Sequence, residues 1–573
     1  MRILIATIAV VSVSGCVGPG SIDPTLLNRY QYSVSCNSPQ PRVGVGGLGL
    51  LEPTIELGPR LDIVTSEDGV RQVRLGINDA VMLAVANNND VRVVSFDPEI
   101  ARQEMIAAAA QFDYTIFGGY TFNRQDTSAA MLQPAGRIRR HTWDAGIRQL
   151  TPIGGTWAIR GALSRIWDYR VFSGSPVSYE STLAIEVMQP LLRDAGPTFN
   201  LARLRVARIN RRVSEAEFRR ILEQSVTQTI FEYWTLWLAR EELANEQRLL
   251  DMRRTTYDRV WQRREIDAGA AQINQALAAV RSGELDVLRR RKAVIDAQER
   301  LVSLLGDARI NMLGDFEIIP ISPAATAPVQ VDTRDQLLAA MEHNPSLEQI
   351  RLGIQVADIF VDVARNQTLP RLDLQASAGY QGFGGTPRRA AEDVFDQLAL
   401  TLAIAMEYPL GNRERLAELR RRQLERDQTI AQLQQAADQV AVNVKERIRE
   451  IGLNYDEIEG QRQVVAARLA ELEALEAIEE IQGRLTPEFL QLKLNTQTQV
   501  TLAQLQELTA IRNYNISMAQ LAQTTGTILK QFSVDAAITP VIDQLPCPPS
   551  PTRAPLVDAP QSLGRSSMLP WEN

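Results

Sequence analysis

Two histidines, His141 and His343, and three cysteines, Cys16, Cys36 and Cys547, are the only imidazoles and thiols in a chain of 573 residues. That is too little to build a soft-metal centre or an activated nucleophile with its base. No cofactor site can be read, and the chemistry points to a structural or conduit role, not to an enzyme. A net charge of −7 argues against nucleic acid as a partner. The basic runs Arg208 to Arg220 and Arg415 to Arg426 therefore read as solvated helix faces. The ring-rich Phe231-Glu-Tyr-Trp234-Thr-Leu-Trp237 reads as a surface packed against a flanking layer.

One cysteine has an address. Met1-Arg2, an apolar core from Ile3 to Val13 and Ser14-Gly15 form a secretory signal, too short to span a bilayer. Val13-Ser14-Gly15-Cys16 resembles the lipobox of bacterial lipoproteins, which implies that Cys16 becomes the first residue and carries acyl chains. An ordinary signal with a chance cysteine is the other reading. Val17 in place of an aspartate fits delivery to the outer membrane, and two or three acyl chains hold a protein there stably. Cys36 and Cys547 then remain as an even pair in an oxidising compartment; a disulfide would join the two ends, and two unrelated thiols fit equally well. No stretch carries 18 consecutive apolar residues, so a membrane could be crossed only by a barrel of strands.

The remaining residues must be positioned by two unusual stretches. Ser181 to Leu192 alternates, with Leu183, Ile185 and Val187 on one face and Ala184, Glu186 and Met188 on the other. Behind it, about seventy residues from Asn200 to Gly269 contain neither proline nor glycine, enough for a helix of roughly 100 Å. The pattern recurs at Leu400 to Leu410, followed by a second proline-free run from Asn412 to Gly483, interrupted by Gly452 and Gly460. Helix breaks at Asn88 and Asn344 are 256 positions apart, and Gly119-Tyr120 and Gly379-Tyr380 are 260 apart. Helix, helix, strand, strand, very long helix and return helix thus occur twice, an internal duplication. Leu183 and Leu402 are only 219 apart, so the first copy holds about 41 extra residues between its strands. That insert carries Pro152-Ile-Gly-Gly155 between two alternating segments, a hairpin signal with Trp157, Ile159 and Leu163 on one face and Arg160 and Ser164 on the other. Whether the hairpin enters a bilayer or forms a long external loop is open.

The resulting divisions are a signal peptide at 1–15, a leader at 16–71, a first repeat at 72–307, a linker at 308–332, a second repeat at 333–530 and a Pro-rich tail at 531–573. Order is expected from Leu75, with a second helix running unbroken to Gln111. Strands are expected near 112–124, 140–168 and 178–190, then 371–383 and 396–410, with long helices over 200–306 and 412–526. Within 464–481, Leu469, Leu472, Leu475, Ile478 and Ile481 recur every three residues, an apolar band wide enough to meet neighbours on both sides.

These residues together resemble the TolC-like outer-membrane factors. The match rests on the two Leu-Ala-Ile-x-x-x-x-Pro-Leu segments, the breaks at Asn88 and Asn344, the Tyr-Trp-x-Leu at 233–236, and the closing Leu-Leu-Gly306 and Thr-Thr-Gly526. The resemblance implies a mainly helical fold with a transmembrane β-barrel part, and a homotrimer whose members pool four strands each into one barrel. Their long helices would form a periplasmic tunnel, its tips an iris contacted by a periplasmic adaptor protein and an inner-membrane transporter. The role implied is an outer-membrane exit duct of a tripartite efflux pump or type I secretion system, lipid-anchored, with no nucleic acid involved. A lipid-anchored coiled-coil scaffold or adhesin without a pore is the alternative. The tips would be Glu265 to Gln272 and Glu479 to Glu488, where Asp267, Glu479 and Glu480 are candidates for an acidic, cation-favouring gate. Glu186 and Glu407 would line the barrel lumen by strand alternation. The 41-residue insert departs from four strands, and six per chain would widen the barrel.

Overall fold

The structure, a computed structural model, describes residues 62–65, 71–127, 136–168, 177–266, 268–307, 310, 316–482 and 486–534. Cys16, Cys36, Cys547 and Asp267 lie outside the described residues, as do the signal peptide, most of the leader and most of the tail.

Order begins earlier than Leu75. β1 (Asp62–Thr65) and β2 (Arg71–Leu75) precede α1 (Ile77–Asn87), α2 (Asn89–Val94) and α3 (Asp97–Ala109). The single helix expected through Gln111 is divided because Pro98 has no N–H and its ring crowds the carbonyl four residues back, at Val94, where α2 ends. Four strands follow: β3 (Thr115–Thr127), β4 (Gly136–Leu150), β5 (Thr156–Asp168) and β6 (Val177–Pro190). Next come α4 (Ala202–Gln262), α5 (Ala270–Leu305) and β7 (Phe316–Pro320). The second repeat holds α6 (Thr333–His343), α7 (Pro345–Gln367), β8 (Arg371–Gly384), β9 (Gln397–Glu407), α8 (Arg413–Gln482) and α9 (Pro487–Thr524).

No proline falls between Pro197 and Pro320, and strong helix formers fill the interval, so nothing interrupts α4 for 61 residues, about 92 Å. α8 runs 70 residues, about 105 Å, and passes through Gly452 and Gly460 without a break. A single glycine weakens a helix by about 1 kcal/mol, too little to end one that is packed along its length. Val440, Val444, Ile451 and Ile458 of α8 are buried against Ala510, Ile511, Tyr514 and Leu521 of α9. Of the expected apolar stripe, Leu472 and Leu475 are buried; Leu469, Ile478 and Ile481 stay exposed in the single chain.

The duplication is visible as a joint built twice. Asn88 caps α2 by accepting from the Asp90 and Val91 amides, and Asn344 caps α7 by accepting from those of Ser346 and Leu347. Each return helix ends at a left-handed glycine seated on the residue before its asparagine. Gly306 (φ 59°) would place a Cβ 2.5 Å from the Asn87 carbonyl oxygen, and Gly526 (φ 70°) would place one 2.8 Å from the His343 carbonyl carbon. The expected linker is itself structured. β7 pairs parallel to β2, Tyr233 donates to the Leu75 carbonyl (3.0 Å) and accepts from the Ser322 amide (3.0 Å), and Asn515 bonds both the N–H and C=O of Ala325. The ring-rich run at 231–237 thus packs against this small sheet, with Tyr233 and Trp234 buried.

At the second joint, Arg219 reaches both the Gly526 carbonyl (2.8 Å) and Glu223 (3.0 Å). Burial pushes the Glu223 carboxyl up to about 7, with the Arg219 charge opposing. A carboxyl whose folded value is raised binds its proton more tightly folded than unfolded. Its stabilising contribution is complete below about pH 4.5 and is lost as pH rises towards 7, on the order of 3 kcal/mol. Glu223→Gln should flatten that slope; melting both proteins between pH 4.5 and 8 checks it, and parallel pH profiles would refute it.

Candidate functional site

Six strands form one antiparallel meander in the order β3-β4-β5-β6-β8-β9. The insert supplies β4 and β5 within this sheet, joined by a tight turn in which Gly154 takes φ 93°. Strand alternation and the observed registers sort the side chains into two faces. On one, Ile116, Ile147, Ile159, Ile185, Ala378 and Leu400 run across all six strands in a single row. Leu183, Val187, Leu402, Ile404 and Met406 extend this apolar band, and all are exposed in the single chain.

Aromatic rings stand at both ends of the band. Near the helices, Tyr114 meets Trp157 edge-on at 6.0 Å, and Trp157 donates to Gln149 (3.1 Å). At the far end Tyr120, Phe122, His141, Trp143 and Trp167 cluster, with Tyr120 and His141 bonded (2.7 Å) and Arg165 3.8 Å above the Trp167 ring. Apolar flanks with aromatic girdles are what a bilayer selects on the outside of a barrel. A one-turn helix, Pro387–Glu392, lies over this face at the far end. Ser181 donates to the Ala390 carbonyl, and Gly382 leaves room for the Asp393 backbone, 2.6 Å from where a Cβ would sit.

The opposite face is polar. Asp144 and Arg160 pair at 3.5 Å, Arg140 and Glu180 at 2.8 Å, and Arg371 reaches Asp373 at 2.7 Å and Glu407 at 4.0 Å. Glu186 stands on this face between Ala158 and Ser377, so the two acids singled out from the sequence share it. Phe117 covers the bare backbone of Gly146 on this face.

At the other end of the long helices, α4 and α5 form one hairpin and α8 and α9 a second, α4 ending at Gln262 and α5 starting at Ala270, α8 ending at Gln482 and α9 starting at Pro487. The hairpins meet along α4 and α9 through a small apolar cluster of Val260, Ala268, Ala276, Leu490 and Leu494. Beside it runs a polar seam. Gln497 donates to Thr256 (3.2 Å), Arg253 donates to Thr498 (3.3 Å), and Gln275 bonds Gln491. Gly283 makes room for Arg253, whose Nη1 lies 3.0 Å from where a Cβ would be.

The tip acids are not equivalent. Glu479, its side chain 10% exposed, is ion-paired to the buried Lys493 and to Arg259 of the other hairpin at 3.6 Å. It is a lock between hairpins more than a free charge over an opening. Glu480, one position on, is exposed. Sequence reasoning missed Lys493, Arg259 and Gln497, although Glu479 near the end of α8 and Lys493 near the start of α9 carry opposite charges, a signal the sequence holds. Trp261, 46% exposed, stacks on Tyr257 and lies under Arg264 (5.2 Å), and Ile266 beside it is 79% exposed. Among the described residues no cluster of His, Cys, Asp and Glu could hold a metal, and no helix is long and apolar enough to cross a membrane.

No family model and no curated protein matches the sequence. Solved structures do match. The outer-membrane channel OprN superposes with a TM-score of 0.60 at 14% identity, covering 79% of this chain and 90% of its own. The CmeC outer membrane channel of Campylobacter jejuni gives 0.58 at 13%, covering 88% and 98%. The open state of the MtrE outer membrane channel of Neisseria gonorrhoeae gives 0.55 at 15%, covering 79% and 89%.

Proposed function

We propose that this chain, which has the fold of the TolC-like outer-membrane channels, is itself an outer-membrane exit duct, a homotrimeric passive conduit for an efflux pump or a type I secretion system. One observation carries this: a six-stranded sheet, apolar and aromatic-girdled on one face and charged on the other, is continuous with helices about 100 Å long. Such a sheet suits lipid outside and water inside, whereas a coiled-coil scaffold or adhesin has no use for it. Glu186 and Glu407 then line the lumen, and Cys16 carries the lipid that holds the leader to the outer membrane. Trp261 and Ile266 offer an apolar knob at the tip for a periplasmic adaptor, with the inner-membrane transporter beyond it.

Heat-modifiable trimer migration on a gel and single-channel conductance in a planar bilayer test the duct; absence of both sinks it. Cys16→Ser should abolish labelling with radioactive fatty acid.

At the tips, Asp267 and Glu480 are the acids assigned to a cation-favouring ring, and Glu479 the structural lock beside them. Asp267→Asn with Glu480→Gln should lower cation over anion permeability several-fold, read as the reversal potential under a salt gradient, because a ring of like charges sets the sign of the ions it admits. An unchanged reversal potential removes the assignment.

A further inference from the structure

We propose that the barrel built by this protein has eighteen strands, six from each of three copies, with β9 of one copy paired antiparallel to β3 of the next. The inference rests on the trimeric duct proposed above and departs from the four strands per chain implied by the resemblance.

The sheet cannot end where the single chain ends it. β3 and β9 are its two edges, 13 and 11 residues long, and all eleven residues of β9 are exposed. In hydrocarbon nothing else satisfies the unpaired backbone N–H and C=O groups of such an edge, so open edges do not survive there. Six strands are too few to close alone, since single-chain bacterial barrels begin at eight. The occupant of each edge is therefore a second copy of this chain.

The geometry of the meander permits that closure. Because the number of strands is even, β3 runs away from the helices and β9 runs back towards them. The two free edges are thus antiparallel, and a ring of copies keeps alternating direction at every seam. The faces also match: Ile116, Gly118 and Tyr120 of β3 and Leu398, Leu400 and Leu402 of β9 belong to the same apolar face. Strands of 11 to 15 residues reach or exceed the roughly 9 to 11 that a tilted strand needs to span a bilayer.

The inserted hairpin is part of the wall. β4 pairs with β3 along 13 positions and β5 with β6 along 12, against 12 for β6 with β8 and 11 for β8 with β9. Its Trp143, Ile147, Trp157 and Ile159 complete the apolar row, and its Arg140, Asp144 and Arg160 join the polar face. With strands 4.8 Å apart and tilted by 40°, eighteen give a backbone diameter of about 36 Å, against about 24 Å for twelve. The mouth in the membrane is then wide, and the helix tips alone restrict passage.

The test uses the full chain with Cys36→Ser and Cys547→Ser, in outer-membrane preparations, and a short bis-maleimide. Three cysteine pairs on the polar face are compared. Thr121→Cys with Thr142→Cys and Ala162→Cys with Thr182→Cys are directly opposed across β3–β4 and β5–β6. Thr121→Cys with Thr182→Cys joins strands three spacings apart, roughly 14 Å, beyond the linker. The first two should link within one chain and the third should not. A cysteine at Thr121 paired with one scanned along β9 should link neighbouring copies at one register. Native mass spectrometry counts the copies independently. Three copies with a Thr121–Thr182 link, or without the first two links, overturn the eighteen-strand wall and leave the duct standing. Any other copy number overturns the trimer itself.

Discussion

Lys493→Met is expected to loosen the helix tips by about 3–5 kcal/mol, the effect of stranding a buried carboxylate. Lys493 is buried and the Glu479 side chain is only 10% exposed, while the remaining partner, Arg259, sits at 3.6 Å with half its side chain in water. That contact cannot replace the ammonium, because an ion pair near solvent contributes little. The lost pair joins α8 to α9, and Glu479 also holds α4, so both hairpins should splay. In planar bilayers the variant should dwell longer in conducting states than the parent. The double variant Lys493→Met, Glu479→Met separates the charge from the shape. Two apolar residues of similar volume remove the uncompensated charge and should recover most of the closed behaviour. If the single variant closes like the parent, the lock is not at Glu479; if the double variant is as leaky as the single, packing and not charge was lost.

Gly526→Ala and Gly306→Ala should each destabilise the protein by about 3 kcal/mol or more. Left-handed backbone alone costs an L-residue about 1–2 kcal/mol, and the new methyl would overlap the His343 or Asn87 carbonyl. Hydrogen exchange should rise first at Asn88–Val91 for the Gly306 variant and at Asn344–Leu347 for the Gly526 variant, because each glycine seats the neighbouring asparagine cap. Equal effects at the two sites are what a duplicated joint demands. A variant with unchanged exchange at its own cap would show that the glycine merely ends a helix.

How much of this was legible follows from how local each signal is. The strands and long helices were readable within a few residues, because alternation and freedom from proline act over short windows. The closing glycines and capping asparagines were readable for the same reason. The helix break at Pro98 is missing from the sequence reading, though its effect on Val94 is as local as any. Phe316–Pro320 reads as linker in sequence, since a five-residue strand gains its stability from β2, more than 240 positions away. Gly452 and Gly460 looked like interruptions because only packing against α9 shows that α8 outlasts them. At the tip, acids could be found but not sorted. Glu479 differs from Glu480 only through Lys493 and Arg259, and the second of these arrives from the other hairpin. That β4 and β5 join the sheet shows only in the strand pairing, which no single segment records.

The twin joints have a mechanical consequence. Gly306 and Gly526 pin the ends of α5 and α9 that lie farthest from the tips, 36 and 38 residues away along each helix. Each return helix is thus a lever of about 54–57 Å with its fulcrum at a glycine. A rotation of about 5° at the fulcrum carries the far end about 5 Å, close to one helical pitch. Long helices bend by such angles without breaking hydrogen bonds. A small torque where the helices meet the sheet, or a light lateral pull on Trp261, would be geared up into a displacement large enough to part the Lys493–Glu479 contact.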